Sequence, residues 1–495
     1  MNQTTTDDHR VAGVLLGMAA GDALGAGYEF HPSVGDDVAI VMEGNHMWEP
    51  GEWTDDTAMA VAIAEAAADG DDLRDPHVLD EIARRWREWA LTAKDVGSQT
   101  SAVLSAASAA EGGLSAATMT AAAEDWHHLS GRSAGNGSLM RTAPVALAYL
   151  HDEDALVEAA RTISGMTHYD AQAGDACVLW CLAIRHAVLT RELDVRVGLG
   201  HVPEERRVAW VERIEVAERS RPQDFSKYSS ADGKSNGWVV KGFQGAWSAI
   251  ATTQSGSAEH LRIALEEAVR GGDDADTVAA IAGGLLGAAY GASAVPASWR
   301  RILHGWPQLR SRDLISLALR VAARGEIGDD QWPREARFDY SRYGDVHALA
   351  VHPHDPEVVL SGVGHLDPLP HGVAAVVTLC RLGADEVPTG DVEVEDHVEV
   401  WLVDSHDPAA NPHLDFVLAD TVAVVRQLRA EGKRVLVHCV QGQNRTPTIG
   451  ALYAMSVGGV TADEAVADMQ KLLPGSLQNA AFREAITRVE GNSMA

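Results

Sequence analysis

Gly271-Gly272-Asp273-Asp274-Ala275-Asp276-Thr277 sets three carboxylates and a hydroxyl beside two glycines. The small-residue run Val278-Ala279-Ala280-Ile281-Ala282-Gly283-Gly284 follows at once. Far upstream stands a counterpart, Gly51-Glu52-Trp53-Thr54-Asp55-Asp56-Thr57, which leads into an apolar helical run from Ala58 to Ala68. Taken singly, each stretch reads as a helix start, where Asp and Thr cap free amide groups. Taken together, they offer Asp and Thr oxygens at two helix N-termini, which is hard-cation chemistry. Adjacent carboxylates repel, and a shared divalent ion relieves that repulsion.

Outward from these two starts the chain reads as helix. Residues 11–30 form a helix with glycines at 13, 17 and 21, a face that lets another backbone come close, and Asp22 in that setting needs a partner. Glu29 follows where the helix gives out. An amphipathic helix spans 73–90, and Ala-rich helices fill 101–123. Gly135-Asn136-Gly137-Ser138 is a turn that leads through Met140-Arg141 to Pro144 and an apolar helix. Thr167-His168-Tyr169-Asp170 starts the helix that carries Cys177 and Cys181, read as buried thiols. Residues 191–235 are charged and less periodic, and further helix covers 237–250 and 258–270. Almost nothing before 320 alternates like a strand, so the first domain is predicted to be all-α.

The pattern changes at a polar, Pro- and Gly-broken stretch around 322–340. Strand-like runs then appear at 347–351, 358–361, 374–379, 392–401 and 435–438. Helices are predicted at 414–430, 446–457 and 461–473. The expected organisation is multidomain: an all-α domain over 8–320, a linker over 321–339 and an α/β domain over 340–490.

A length of 495 residues exceeds one core, and 46% hydrophobic content is ordinary for a globular protein. A net charge of −31 argues against a nucleic-acid surface but not against a nucleotide-like ligand in a local pocket. Cys177, Cys181, Cys380 and Cys439 form neither a zinc pattern nor a disulfide framework, which suits a reducing cytoplasm. No basic-then-apolar leader is seen at residues 1–10, and no uninterrupted apolar run reaches the ~20 residues of a membrane span, so no membrane partner is expected.

The ordered set Gly21-Asp22-Ala23-Leu24-Gly25, Thr54-Asp55-Asp56-Thr57, Gly135-Asn136-Gly137 with Met140-Arg141 and Pro144, Thr167-His168, and Asp274-Ala275-Asp276-Thr277 resembles the ADP-ribosylglycohydrolase family over about residues 8–320. That resemblance implies an all-α bundle around two divalent ions, magnesium or manganese. It places metal ligands at Thr54, Asp55, Asp56, Asp274, Asp276 and Thr277. The extra carboxylate of Asp273 leaves the register of the Asp-x-Asp-Thr motif to be decided; Thr277 after Asp276 fixes it at Asp274 and Asp276. Asp55 or Glu29 is the expected acid/base group. Gly135, Asn136, Gly137 and Ser138 are expected to bring backbone donors to a diphosphate. The substrate implied is an ADP-ribosylated protein or an ADP-ribose derivative, cleaved at an N- or O-glycosidic bond.

Val435-Leu436-Val437-His438-Cys439-Val440-Gln441-Gly442-Gln443-Asn444-Arg445-Thr446 is a strand, a loop with Cys439 and Arg445 at its ends, and a helix start. It resembles the signature loop of the cysteine-dependent phosphatases, nearest the dual-specificity type, over about 340–490. Loop amides and the helix N-terminus make an anion nest, to which Arg445 adds a two-pronged donor. The same positive field favours a thiolate nucleophile at Cys439, which forms a phosphocysteine. No cofactor is expected there, and the substrate implied is a phosphoprotein. A general acid is needed on a separate loop. Distance along the chain favours Asp407 by family resemblance, and Asp404, nearer the strand end, is the alternative. Asp420 is expected on a solvated helix face. The chain thus reads as a bifunctional hydrolase. The alternatives are that both domains act on one phosphorylated ADP-ribose derivative, or that one domain only binds its ligand.

Overall fold

The computed structural model describes residues 8–229, 231–327, 332–386 and 392–493. Two compact units emerge. One comprises the chain up to Val295 with Ile302–Ile327; the other comprises Pro296–Arg301 with the chain from residue 328 onward. The expected linker at 321–339 partly falls on 328–331, outside the described residues. A helix already covers its start, to Ala322.

The first unit is helical. Its helices are α1 (Asp8–Gly25), α2 (Asp55–Ala67), α3 (Pro76–Ala90), α4 (Ser98–Ala109), α5 (Ala116–Ser130), α6 (Ala143–Ala148), α7 (Glu153–Gly165) and α8 (Ala171–Thr190). After them come α9 (Glu204–Ala217), α10 (Val239–Thr252), α11 (Glu259–Arg270), α12 (Ala275–Tyr290) and, last in the unit, α14 (Ser311–Ala322). The helix α13 (Ala297–Arg300) belongs to the second unit. The run 101–123 is two helices, because Gly112 and Gly113 between them both take positive φ. The first helix stops at Gly25 rather than near residue 30. A two-residue hairpin, β1 (His304–Gly305) with β2 (Leu309–Arg310), was not anticipated. Helix α8 is long and apolar enough to cross a membrane, yet it is a core element: Trp180 donates its indole N–H to Ile281 O at 2.9 Å, and Cys177 and Cys181 are buried and free.

The second unit has a sheet of β3 (Leu349–Val351), β4 (Val358–Gly362), β5 (Val373–Thr378), β6 (His397–Glu399) and β7 (Arg434–Cys439), in the order β3-β4-β7-β5-β6. Only β3 is antiparallel. The strand expected over 392–401 shrinks to three residues, since Val394–Asp396 turns in a 3-10 helix. Alternation puts Val358, Leu360, Val435, Val437, Ala375 and Val377 in one core, and Val359, Leu436 and Val376 in another. Helices α15 (Leu414–Ala430), α16 (Arg445–Gly458), α17 (Ala462–Leu472) and α18 (Ala480–Ser493) complete the unit. Helix α18 carries no signal that was read from the sequence. Parallel strands point their carboxyl ends to one edge, and Cys439 ends the central one there.

Candidate active sites

In the first unit α1 and α12 lie antiparallel in backbone contact. A Cβ at Gly13 would lie 2.2 Å from Gly287 O, one at Gly17 2.4 Å from Gly283 O, and one at Gly21 2.1 Å from Ala279 O. At Gly25 the neighbour is the Cα of Asp276, 2.3 Å away. Only glycine allows this approach, and it carries Asp22 of α1 to the start of α12.

Asp22 is fully buried and caps α2 from outside it. Its Oδ1 accepts from Thr54 N and Thr54 Oγ1, each at 2.9 Å, and its Oδ2 accepts from Thr57 N at 2.9 Å. No side chain of α2 caps its own start. Asp55 and Asp56 are therefore free of the capping role that the sequence alone allowed them. At the start of α12, Asn136 Nδ2 donates to Asp274 Oδ2 at 2.6 Å, and Asn236 Oδ1 accepts from Asp274 N at 3.0 Å. Asp273 turns away: its φ is +66°, and it pairs with Lys227 Nζ at 2.8 Å. Burial works against its ionisation, yet hydrogen bonds from Lys227 and Ser235 hold its carboxyl below the usual range. Asp273 thus stands apart from the two carboxylate triads that Asp274 and Asp276 help to form.

Carboxylate oxygens of Asp22, Asp56 and Asp276 lie within 4.8 Å of one another, as do those of Glu29, Asp274 and Asp276. Asp276 belongs to both triads. Thr54 Oγ1 lies 3.0 Å from Asp56 Oδ2, 3.4 Å from Asp55 Oδ1 and 3.5 Å from Asp276 Oδ2. Asp56 Oδ1, Asp276 Oδ1 and Thr57 Oγ1 are buried with no hydrogen-bond partner. Burial, then mutual repulsion, pushes Glu29 up to about 9 and Asp55 up to about 7, and raises Asp56 and Asp276 well above the carboxylate range. Buried, orphaned, crowded oxygens of this kind fit divalent cations, which accept oxygen ligands and remove the repulsion.

The cluster opens on a cavity of about 530 Å³ whose wall includes Glu29, Asp55, Asp274 and Thr277. Gly135, Asn136 and Gly137 also line it. Their donors are partly committed: Asn136 N donates to Gly237 O at 2.9 Å. Ser138 is not in the wall; its buried hydroxyl accepts from Ser164 Oγ at 2.9 Å, so it supports the loop from behind. Asp95, Asn236 and Lys227 were missed in the sequence. Asp95 and Lys227 line the cavity, whereas Asn236 anchors the start of α12. All three sit in irregular segments with no periodicity to mark them.

In the second unit, Cys439 is buried at the end of β7, and Gly442 N donates to its Sγ at 3.3 Å. Gly442 takes φ +72°, which turns the loop back over the sulfur. Arg445 opens α16, and its Nη1 donates to Leu379 O at 3.0 Å and Leu402 O at 2.9 Å. Its Nε is buried with no partner. Thr446 Oγ1 donates to Ser361 O at 3.2 Å. His438 is fully buried, and burial pushes it down to about 3.

The two acid candidates stand differently. Asp404 Oδ2 accepts from Asn444 Nδ2 of the signature loop at 3.1 Å, and its Oδ1 accepts from Asn479 Nδ2 at 3.0 Å. Asn479 N in turn donates to Asn444 Oδ1 at 3.1 Å. Asp407 instead caps the short turn Pro408–Ala410 through Ala409 N at 2.9 Å. The structure therefore ties Asp404, not Asp407, to the loop that carries Cys439. Asp420 is not a solvated surface group: its Oδ2 accepts from Ala297 N at 2.9 Å and caps α13.

The profile of the family described as ADP-ribosylglycohydrolase matches residues 3–330. That of the dual specificity phosphatase catalytic domain matches residues 384–492. An ADP-ribosylarginine hydrolase Tri1 of Pseudomonas putida (strain GB-1) is 29% identical over 296 residues, covering 59% of this chain and 73% of that protein. The ADP-ribosyl-[dinitrogen reductase] glycohydrolase of Rhodospirillum rubrum is 28% identical over 300 residues, covering 59% and 88%. The crystal structure of human DUSP28 is 20% identical, covering 30% of this chain and 96% of that one, with a TM-score of 0.26.

Proposed function

Because the chain belongs to the ADP-ribosylglycohydrolase family and also carries a dual-specificity phosphatase catalytic domain, we propose that it is a bifunctional hydrolase: its first unit releases ADP-ribose from arginine-linked substrates, and its second cleaves phosphomonoesters through a phosphocysteine. The observation that carries the first half is Asp276, shared by two carboxylate triads, one of which reaches the cavity wall through Glu29 and Asp274. Thr54, Asp55, Asp56, Asp274, Asp276 and Thr277 would hold two divalent ions, magnesium or manganese, which supply charge stabilisation to the ribose hydroxyls and the attacking water. Asp22, itself a member of one triad, and Asn136 hold those side chains in place through hydrogen bonds at the starts of α2 and α12.

Cleavage breaks the bond between the anomeric carbon and the guanidine nitrogen, while a water oxygen bonds to that carbon. Asp55 and Glu29, both in the cavity wall, are assigned the proton transfers, one taking the water proton and the other giving one to the leaving nitrogen. Arginine is favoured over a hydroxyl-linked residue because the wall is rich in carboxylates, with Glu29, Asp55, Asp95 and Asp274 facing the space a guanidinium would enter. The Pseudomonas relative, an ADP-ribosylarginine hydrolase, points the same way. The test is release of free ADP-ribose from an ADP-ribosylated arginine peptide, run beside a serine-linked peptide. Turnover of the serine peptide alone contradicts the assignment.

In the second unit, Cys439 Sγ attacks phosphorus, and the leaving oxygen takes a proton from Asp404. Water then releases phosphate from the phosphocysteine, with Asp404 as base. The sulfur's hydrogen bond from Gly442 N and the Asn444–Asp404–Asn479 link support these roles. Trapping a covalent phosphoenzyme in Asp404→Ala, absent from Cys439→Ser, tests the sequence of steps.

A further inference from the structure

Arg141 is fully buried, with its Cζ 4.0 Å from the centroid of the Trp86 ring. Among the described residues no carboxylate lies within ion-pair distance of it. Its Nη2 instead donates to Thr167 Oγ1 at 2.6 Å, and Thr167 Oγ1 lies 2.7 Å from His168 Nδ1. A guanidinium only donates, so Thr167 Oγ1 accepts from Arg141 and keeps its own proton to give. The one remaining neighbour of that hydroxyl is His168 Nδ1. If Nδ1 carried a proton, the buried Thr167 hydroxyl would have no acceptor, a loss of a full hydrogen bond. Nδ1 therefore accepts, and the imidazole proton sits on Nε2.

Nε2 faces the cavity. His168 lines it, and a Cβ at Gly135 would lie 3.0 Å from Nε2, and one at Gly137 3.3 Å from it. His168 is 3% exposed, and among the described residues Nε2 has no hydrogen-bond partner. Burial, then the charge of Arg141, pushes the ring down to about 3, in keeping with a neutral donor.

We propose that Arg141 and Thr167 are positioning residues: their relay locks His168 in the Nε2–H tautomer, so that the cavity wall beside Gly135 and Gly137 presents one neutral donor to an oxygen of the ligand. The ligand half of this rests on the reading of the cavity as an ADP-ribose site; the tautomer half does not. A cation at this position would favour any anion, whereas a fixed neutral N–H selects an acceptor oxygen by geometry.

Histidine-selective 15N NMR on the full chain tests the relay directly, with the His168 signals identified by their loss in His168→Gln. The expected result is an unprotonated Nδ1 and a protonated Nε2, unchanged from pH 5 to pH 8. A protonated Nδ1 overturns the proposal. In Thr167→Val, which keeps the shape and removes the relay, the two nitrogens should move toward the averaged shifts of exchanging tautomers. ADP-ribose binding by calorimetry should weaken about ten-fold in Thr167→Val and recover in Thr167→Ser. Equal affinity in the valine and serine variants overturns the positioning role. Absence of ADP-ribose binding to the unmodified chain, with the NMR result intact, sinks the reading of the cavity and leaves the relay standing.

Discussion

Gly17 and Gly283 face each other so closely that a Cβ on either would lie 2.4 or 2.1 Å from the carbonyl oxygen of the other. This contact joins α1 to α12 and fixes how near Asp22 and Asp276 come. Gly17→Ala or Gly283→Ala pushes backbone against backbone, with no flexible side chain to yield. Each should cost roughly 3 kcal/mol or more in the stability of the first unit. Magnesium or manganese affinity should fall with it. Chemical denaturation and metal titration of the variants read both effects.

Charge, not shape, is what an ion requires of Asp56 and Asp276. Asp56→Asn and Asp276→Asn should lose divalent-ion binding and ADP-ribose release while the circular dichroism of the chain stays unchanged. Both carboxylates are raised well above their usual range by burial in the ion-free protein, so neutralising one does not strand a charge. Metal stoichiometry equal to the unmodified chain in either variant contradicts the ligand assignment.

Asp404→Ala should slow turnover of a poor leaving group by roughly two to four orders of magnitude and cost far less with nitrophenolate, which departs without a proton. Asp407→Ala should remove only a turn cap, with an effect of about 1 kcal/mol on stability and little on rate. A leaving-group-dependent loss in Asp407→Ala instead would return the acid role to that residue. Arg445→Lys should fail in either case, because a point charge does not replace a planar fork.

How much of this was legible depends on what kind of signal each residue leaves. The pairing of Thr54-Asp55-Asp56-Thr57 with Asp274-Ala275-Asp276-Thr277 and the Cys439-to-Arg445 loop are local patterns, so sequence spacing exposes them. Asp22 was visible only as a charge needing a partner; that it caps α2 depends on a contact 32 residues away. The contacts that favour Asp404 over Asp407 run through Asn444 and Asn479, which come together only in the folded unit. Ser138 looked like a loop donor, yet the turn buries it against Ser164. The strand expected over 392–401 is cut to β6 because a turn at Val394–Asp396 interrupts an otherwise strand-like run.

The second unit includes Pro296–Arg301, drawn from within the sequence span of the first. Arg301, its side chain 6% exposed, pairs with Asp396 at 3.2 Å and Glu431 at 2.8 Å, and Ala297 packs in the unit's main core. A fragment beginning at residue 328 lacks these groups. It should be less stable than the same unit in the full chain by roughly 1–3 kcal/mol, and Arg301→Ala in the full chain should reproduce part of that loss. Urea unfolding followed by phosphatase activity measures the difference. A fragment as stable as the intact chain contradicts the boundary.

Acid should weaken the second unit through His438. Its folded value, about 3, lies below the ordinary 6.5 of the unfolded chain. The unfolded chain therefore takes up the proton first, and stability falls as pH drops below about 6.5, by about 1.4 kcal/mol per pH unit. Glu431, held at about 2 by Arg301, adds its own loss only below the usual carboxylate range. Melting of the phosphatase unit should drop between pH 6.5 and 5, and His438→Gln should flatten that slope.

The most direct measurement of the central claim is a crossed activity assay on the full chain, with ADP-ribosylated arginine peptide and phosphotyrosine peptide as substrates. The account predicts that Asp276→Asn abolishes ADP-ribose release and leaves dephosphorylation intact, that Cys439→Ser does the reverse, and that chelation followed by added magnesium or manganese removes and restores only the first activity. Release of ADP-ribose that survives both Asp276→Asn and chelation would contradict it.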